Sequence, residues 1–447
     1  MNIGFLLMSG GLSSRMGQPK ALLSIGGERL IDRIARAGEG FGERILSVND
    51  PAIPTPEGFT RVADVYKECG PMGGLHAALS ACQSDALVCA PCDAPLYTAE
   101  AAAFLAAQLE DGVDAVILTD DAGRAHPMMG AYAKTCLPHL TRHLEEGHFK
   151  LMRMLNELNV RFVPAPEAFS PSLFSNLNTP EDYERVRRDA IREGVLAIAK
   201  GAGEIILGFG EFSVEEKEGH ANFVTDVDCA VQDYLQSALT RLIPGSAFIG
   251  EEKENDALTD APTWIIDPVD GTTNLIHNLR TSAVSIALCE GGRPILGAVY
   301  QPYTDEMFFA ELGRGAFLNG HPIHVSATPF KRALVAFGTS PYNPELAKTS
   351  MSMALSCLQN AADVRRSGSA ALDLASVACG RADAFFELTL KPWDYAAGTL
   401  LVTEAGGKFL MPLCPEGVRF DRPEAILAVN SACEEGMLAL FHAHCAK

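Results

Sequence analysis

Trp264-Ile265-Ile266-Asp267-Pro268-Val269-Asp270-Gly271-Thr272-Thr273-Asn274 runs from an apolar stretch into two carboxylates and two hydroxyls. Trp264 to Asp267 reads as a buried strand that Pro268 ends, because proline cannot donate to a β-ladder, and Gly271 permits a tight turn. Thr272 and Thr273 then open a helix whose N-terminus, with unpaired N–H groups, draws phosphate. Far downstream Pro392-Trp393-Asp394 offers a third carboxylate, and upstream Gly250-Glu251-Glu252 follows another apolar run, Ala247-Phe248-Ile249. Four or five acids gathered at one point repel one another unless cations lie between them. Carboxylate oxygens suit Mg²⁺, which is held by one or two protein carboxylates together with substrate phosphate oxygens. The expected chemistry is metal-assisted cleavage of a phosphate ester.

Outward from this run, hairpin-like alternating stretches at Ser282 to Cys289, Ile295 to Gln301 and Glu306 to Glu311 are separated by Gly291-Gly292-Arg293-Pro294 and Pro302-Tyr303-Thr304-Asp305 turns. They predict an antiparallel or mixed sheet packed between helices, hence α+β. The first half has a different texture. Ile3 to Met8, Arg44 to Val48, Ala86 to Ala90, Ala115 to Leu118 and Arg161 to Val163 read as strands. Helical patterns fall between them at Leu30 to Arg36, Leu75 to Ala81, Ala99 to Glu110 and Lys150 to Leu158. This rhythm predicts βαβ units in a mostly parallel, doubly wound α/β sheet, with ligands beyond the carboxyl ends of the strands. From Asp182 through Ile206 the pattern is helical without a break, so the join between halves is short and stiff; we place it near Arg188, giving domains 1–188 and 189–447.

The 447 residues are too many for one ordinary core, and 47% hydrophobic against 21% charged describes a globular chain. A net charge of -20 argues against nucleic acid or an anionic membrane as partner, since both demand a basic face. Twelve cysteines form no disulfide framework and fit a reducing cytosol. Cys89-x-x-Cys92 has redox or zinc spacing, but without a second pair it reads better as a small apolar strand end. Met1 to Met8 lacks a basic leader and a cleavage site, and no apolar stretch reaches membrane-spanning length. The expectation is a cytoplasmic protein acting on small molecules.

At the N-terminus, Met8-Ser9-Gly10-Gly11-Leu12-Ser13-Ser14-Arg15-Met16-Gly17-Gln18-Pro19-Lys20 follows the first strand directly. Adjacent glycines let backbone N–H groups nest around an anion, and Arg15 and Lys20 add mobile positive charge for a triphosphate. With Ser47-Val48-Asn49, Ala63-Asp64, Gly70-Pro71-Met72-Gly73-Gly74, Pro91-Cys92-Asp93, His126-Pro127 and Asn176-Leu177-Asn178-Thr179-Pro180-Glu181-Asp182, this half resembles the MobA-like molybdenum cofactor guanylyltransferases over about 180 residues. The resemblance implies that Met8, Ser9, Gly10, Gly11, Arg15 and Lys20 line the nucleotide site. Ser47, Asn49 and Asp64 would hold base and ribose, while Asp93 ligates Mg²⁺ and serves catalysis with Lys20. GTP is the implied nucleotide and the terminal phosphate of molybdopterin the acceptor, with pyrophosphate leaving. Pro19 stands where guanylyl-transferring members carry an acidic residue, and the Arg15-to-Lys20 loop is one residue shorter, which leaves CTP open as nucleotide, with a sugar or inositol phosphate as the rival acceptor.

The second half resembles the inositol monophosphatase family over roughly Arg188 to Phe441, with separated motifs agreeing in order and spacing. That implies a layered αβαβα sandwich. Glu251, Asp267 and the carbonyl of Val269 would hold one Mg²⁺; Asp267, Asp270 and Asp394 would hold a second. Thr272 with Glu251 would position and deprotonate the attacking water, with Asp228 nearby. Lys217, Gly271 and Thr272 would meet phosphate, and Ser369, Ala370 and Glu387 the ring hydroxyls, with inositol 1-phosphate as the model substrate. A homodimer through this domain fits the resemblance. Leu275 and Arg280 depart from the common Phe and Pro beside the substrate entry, so fructose bisphosphate and NADP stay open as substrates. A rival from another class makes one domain a binding module that regulates the other.

Overall fold

The computed structural model describes residues 1–9, 19–166, 168–169, 171–210, 213–216, 223–253, 255–341 and 343–445, and every count of elements or residues refers to these. Contacts divide the chain into Met1–Ala190 and Ile191–Lys447. The first unit contains β1 (Ile3–Met8), β2 (Ser24–Ile25), β3 (Glu28–Arg29), α1 (Leu30–Arg36), β4 (Arg44–Ser47), β5 (Thr60–Val62), α2 (Pro71–Ala81), β6 (Ala86–Pro91), α3 (Ala99–Gln108), β7 (Ala115–Thr119), β8 (Ala125–Ala133), α4 (Leu137–Glu145), α5 (Leu151–Leu155) and β9 (Val160–Pro164). Its main sheet runs β5-β4-β1-β6-β8-β7-β9. β1 pairs parallel with β4 and β6, and only β8 runs antiparallel to its neighbours.

β1 is apolar at every position because both its faces are covered. Phe5 and Leu7 pack with α1 and α3, while Leu6 and Met8 pack with α2, α4 and α5. The register decides where the strand ends fall. Met8 lies level with Ser47 on one side and Pro91 on the other, so the segments leaving β1, β4 and β6 share one carboxyl edge. Strand β8 and helix α4 have no counterpart among the elements expected from sequence. β8 carries Pro127 and Gly130, and its pairing with β7 shifts register there, so its alternation is broken.

Helix α6 (Pro180–Gly208) contains the division: Val186 and Ala190 belong to the first unit's core, Ile191, Val195, Ala199, Ala202 and Ile206 to the second's. The second unit continues with β10 (Val214–Glu216), β11 (Phe223–Thr225), α7 (Asp226–Leu242), β12 (Ala247–Gly250), β13 (Thr263–Asp270), α8 (Thr272–Ile276), β14 (Ala283–Glu290), β15 (Arg293–Gln301), β16 (Glu306–Glu311), β17 (Gly315–Leu318) and β18 (His321–Ile323). There follow β19 (Leu334–Phe337), α9 (Pro344–Asn360), β20 (Asp363–Arg365), α10 (Ala370–Ala378), β21 (Ala384–Leu390), α11 (Pro392–Glu404), β22 (Lys408–Leu410), β23 (Glu424–Val429) and α12 (Glu434–Cys445). Its two larger sheets run β12 through β18 in order and β20-β19-β21-β23-β22, while β10 and β11 pair as a separate hairpin.

Three cores stack these pieces. One joins α6 and α7 to a face of the first sheet. The next places α10 and α11 between the two sheets, through Leu374, Tyr395 and Leu401. The last sets α9 and α12 on the outer face of the second sheet, through Met353, Cys357, Met437 and Phe441. The layers are therefore helix, sheet, helix, sheet, helix. Two apolar sheet faces and several one-sided helices leave few other ways to exclude water.

Candidate functional site

β13 does not stop at Pro268, contrary to the expectation from sequence; it continues to Asp270. Asp267 pairs with Ser285 but Asp270 with Ala283, a one-residue shift that forms a bulge around the proline. The bulge accommodates the missing N–H and has a second effect. Residues three apart in a regular strand face opposite sides, whereas one inserted residue returns Asp267 and Asp270 to the same side. Asp267 Oδ1 accepts the Val269 N–H at 3.0 Å.

Asp394 arrives from α11, where Pro392 opens the helix and the Asp394 carboxylate accepts the Lys391 N–H at 2.8 Å. Oxygens of Asp267, Asp270 and Asp394 all lie within 4.8 Å of one another. β12 pairs parallel with β13 so that Gly250 faces Ile266, which brings Glu251 level with Asp267. Burial, then the charges of Glu251, Asp270, Asp394 and Asp228, push Asp267 well above the usual carboxylate range. Burial also lifts Asp394, with Asp270 and Glu251 adding to it. Asp270 is raised by burial to about 6, held down by the Ser369 hydroxyl and the Ala371 and Ala370 N–H groups. These acids cannot all ionise in a dry site without cations, and an all-oxygen donor set fits hard divalent ions such as Mg²⁺.

Around the acids the backbone is specialised. Gly271 sits at φ +97°, and a Cβ there would meet the Thr281 carbonyl at 3.1 Å and the Gly368 carbonyl at 3.3 Å. The Thr272 hydroxyl lies 3.0 Å from Asp228 Oδ1 and 3.2 Å from the Val269 carbonyl. Asp228 is itself fixed on α7 by the Thr225 N–H at 2.8 Å. Ser369 and Ala370, expected at ring hydroxyls, turn toward Asp270: the Ser369 hydroxyl and the N–H groups of Ala370 (3.3 Å) and Ala371 (2.7 Å) all donate to its carboxylate. Glu387 accepts the Ser340 N–H at 2.8 Å, and burial raises its carboxyl to about 7. Gly338 leaves the space Glu387 occupies, since a Cβ there would overlap the carboxylate. Lys217 lies outside the described residues.

Two features escaped the expectations from sequence. Asp373, buried on α10, is pushed well above the carboxylate range by burial. A charge inside the apolar run Ala370-Ala371-Leu372-Asp373-Leu374-Ala375 was a readable signal. Ser340, at φ +45°, had none, because its role depends on β21 lying beside it.

In the first unit, the carboxyl edge gathers Met8, Ser9, Ser47, Asn49, Asp64 and Asp93. Ser9 N–H donates to the Ser47 carbonyl at 2.9 Å and Cys92 N–H to the Met8 carbonyl at 2.8 Å. Asp64 accepts Asn49 Nδ2 at 2.9 Å and the Ser47 hydroxyl at 3.5 Å, and returns its N–H to Asn49 Oδ1 at 2.9 Å. Lys20 Nζ reaches Asp93 Oδ2 at 3.4 Å and Asn178 Oδ1 at 3.1 Å. α2 comes close because its first turn carries Gly73 and Gly74: a Cβ on Gly74 would meet Ser47 Oγ at 2.6 Å and Met8 Cε at 2.8 Å. Gly10, Gly11 and Arg15 lie outside the described residues. Cys89 and Cys92 are buried free thiols, Cys92 raised by desolvation to about 12, which suits apolar packing. No helix among the described residues is long and apolar enough to cross a membrane.

Residues 187–445 match the inositol monophosphatase family, and residues 5–161 match the MobA-like NTP transferase domain. Over 244 residues the chain is 42% identical to inositol monophosphatase 2 of Solanum lycopersicum, covering 52% of this chain and 91% of that protein. Among solved structures, the extragenic suppressor protein suhB of Bartonella henselae is 33% identical with TM-score 0.53, covering 56% of this chain and 98% of that one. An IMPase/NADP phosphatase complexed with Mg²⁺ and phosphate is 26% identical with TM-score 0.50, covering 58% of this chain and 96% of that one.

Proposed function

Because the chain belongs to the inositol monophosphatase family over residues 187–445 and carries a MobA-like NTP transferase domain over residues 5–161, we propose that it is a bifunctional, Mg²⁺-dependent enzyme. In this reading domain 189–447 hydrolyses a phosphate monoester such as inositol 1-phosphate. Domain 1–188 transfers guanylyl from GTP to the phosphate of molybdopterin. The observation that carries the first half is the convergence of Asp267, Asp270 and Asp394 within 4.8 Å.

Glu251, Asp267 and the Val269 carbonyl would hold one Mg²⁺, and Asp267, Asp270 and Asp394 would hold the other. Bound there, the ions neutralise phosphate charge and make water more acidic. Gly271, Thr272 and Lys217 orient the phosphate. Thr272, braced by Asp228, accepts a hydrogen bond from the attacking water, and Glu251 takes its proton. Water oxygen adds to phosphorus opposite the ester oxygen, that P–O bond breaks, and the alcohol leaves with a proton. Glu387 contacts the alcohol's hydroxyls; Ser369 and Ala370 border it while holding Asp270.

In the first domain Asp93 would anchor Mg²⁺ and Lys20 would meet the triphosphate, while the resemblance assigns Met8, Ser9, Gly10, Gly11 and Arg15 to the same nucleotide site. Ser47, Asn49 and Asp64 take base and ribose. The acceptor phosphate attacks the α-phosphorus and pyrophosphate departs. Pro19-Lys20 supports a second reading with CTP, and the likeness to an IMPase/NADP phosphatase supports NADP as a second phosphatase substrate. We also propose a cytoplasmic location and a homodimer through the second domain. A pyrophosphate-release assay with GTP and CTP, against molybdopterin and sugar phosphates as acceptors, tests the transferase; pyrophosphate from none of these pairs overturns it.

A further inference from the structure

We infer that Asn274 is a positioning residue: its side-chain amide holds the turn that aims the start of α10 at Asp270, and thereby sets how tightly the acid cluster binds divalent ions. This rests on reading that cluster as a Mg²⁺ site. Asn274 is 4% exposed, on α8, in the run that supplies Asp267 and Asp270. Its side-chain hydrogen bonds go to backbone carbonyls and not to the acids. Its Nδ2 donates to the Thr281 carbonyl at 2.8 Å and to the Ser367 carbonyl at 3.0 Å, so both amide hydrogens are used.

The Ser367 end is a tight turn. Ser369 N–H donates to Ser367 Oγ at 3.1 Å, and Ser367 Oγ lies 3.0 Å from the Ser369 carbonyl. Gly368 between them sits at φ +86°, and a Cβ there would fall 2.9 Å from Asn274 Oδ1. The turn can thus approach the amide only as glycine. The next three residues supply the Ser369 hydroxyl and the Ala370 and Ala371 N–H groups to Asp270. Asn274 therefore clamps the donors of one segment to the acids of its own. Few side chains meet the need for two donors and no charge at a buried point: Asp has no donor here, Ser one, and Gln is a methylene too long.

The test uses the full chain in an Asp93→Asn background, so that the first domain contributes no ion. Mn²⁺ binding is measured by electron paramagnetic resonance and calorimetry for the parent, Asn274→Ala and Gly368→Ala, each checked for folding by thermal melting. The expected result is Mn²⁺ affinity weaker by about tenfold in both variants, as two buried hydrogen bonds are lost or displaced. The Mg²⁺ concentration for half-maximal phosphate release should rise in step, with KM for the monoester nearly unchanged. Unchanged Mn²⁺ affinity in a folded variant overturns the inference, as does a rise in KM at constant affinity, which would make Asn274 a substrate contact. Should Asn274→Ala fail to fold, Gly368→Ala decides alone. A parent that binds no Mn²⁺ and releases no phosphate refutes the Mg²⁺ reading itself, a failure separate from that of Asn274.

Discussion

Replacing Asp267 by Asn should make the metal-free protein more stable while removing its phosphatase activity. Asp267 is 1% exposed, and its carboxylate lies within 4.8 Å of those of Asp270 and Asp394. At an effective dielectric of about 20, an ionised pair 4.8 Å apart repels by roughly 3.5 kcal/mol and a closer pair by more, so full ionisation beside both partners would cost at least about 7 kcal/mol. The folded protein avoids much of this by keeping protons. Asp270, raised from 3.8 to about 6, puts the cost for that one carboxyl at about 3 kcal/mol, and Asp267 is shifted in the same direction. Asn keeps the acceptor for the Val269 N–H and removes the charge. At pH 8 in EDTA the variant should gain about 3 kcal/mol, or roughly 6 to 12 °C in the melting of the second unit. The sign follows from the raised folded pKa: the parent's carboxyls stabilise the fold fully below their unfolded pKa and lose that contribution as pH climbs through the folded value. The gain in the variant should accordingly grow from pH 4 to pH 8. Hydrolysis should fall on the order of 10³-fold or more, and Mg²⁺ should raise the melting temperature less than in the parent. Scanning calorimetry with and without Mg²⁺, beside a phosphate-release assay, reads all of this. A variant that melts at or below the parent in EDTA, yet is stabilised equally by Mg²⁺, refutes the reasoning.

Asp93→Asn should abolish pyrophosphate release while leaving phosphate release intact; loss of both would show that the two activities are coupled. Thr272→Val removes the hydroxyl braced 3.0 Å from Asp228, and should lower kcat by about 10²-fold or more at unchanged Mn²⁺ affinity, checked by steady-state kinetics beside Mn²⁺ titration. Gly74→Ala places a Cβ 2.6 Å from Ser47 Oγ; nucleotide affinity by calorimetry should weaken, and the first unit should lose about 1 to 3 kcal/mol. Thiol labelling of the native chain should mark Cys229 first, since the remaining cysteines are buried or half-buried.

Much of the fold was legible because strands buried on both faces leave continuous apolar runs: Ile3 to Met8, and Glu306 to Glu311 within its hairpin, have the ends read from sequence. Helix α6 was legible from unbroken helical periodicity over Asp182 to Ile206. β8 was not, because Pro127 and Gly130 interrupt any pattern and its place comes from pairing with β6 and β7. Pro268 misled for a related reason: a bulge absorbs the missing donor, which no local signal announces. The clustered acids Asp267, Asp270 and Asp394 were legible as residue types at strand and helix ends. What Ser369 and Ala370 donate to was not, since Asp270 lies about a hundred residues away in the chain and only the packed layers bring them together.

The most direct test is phosphate release by the purified protein from inositol 1-phosphate, with fructose bisphosphate and NADP alongside, in Mg²⁺ and in EDTA. The account expects turnover of at least one of these monoesters in Mg²⁺, none in EDTA, and in Asp267→Asn a rate with Mg²⁺ lower by about 10³-fold or more. Release that persists in EDTA, or survives loss of the Asp267 carboxylate, would contradict it.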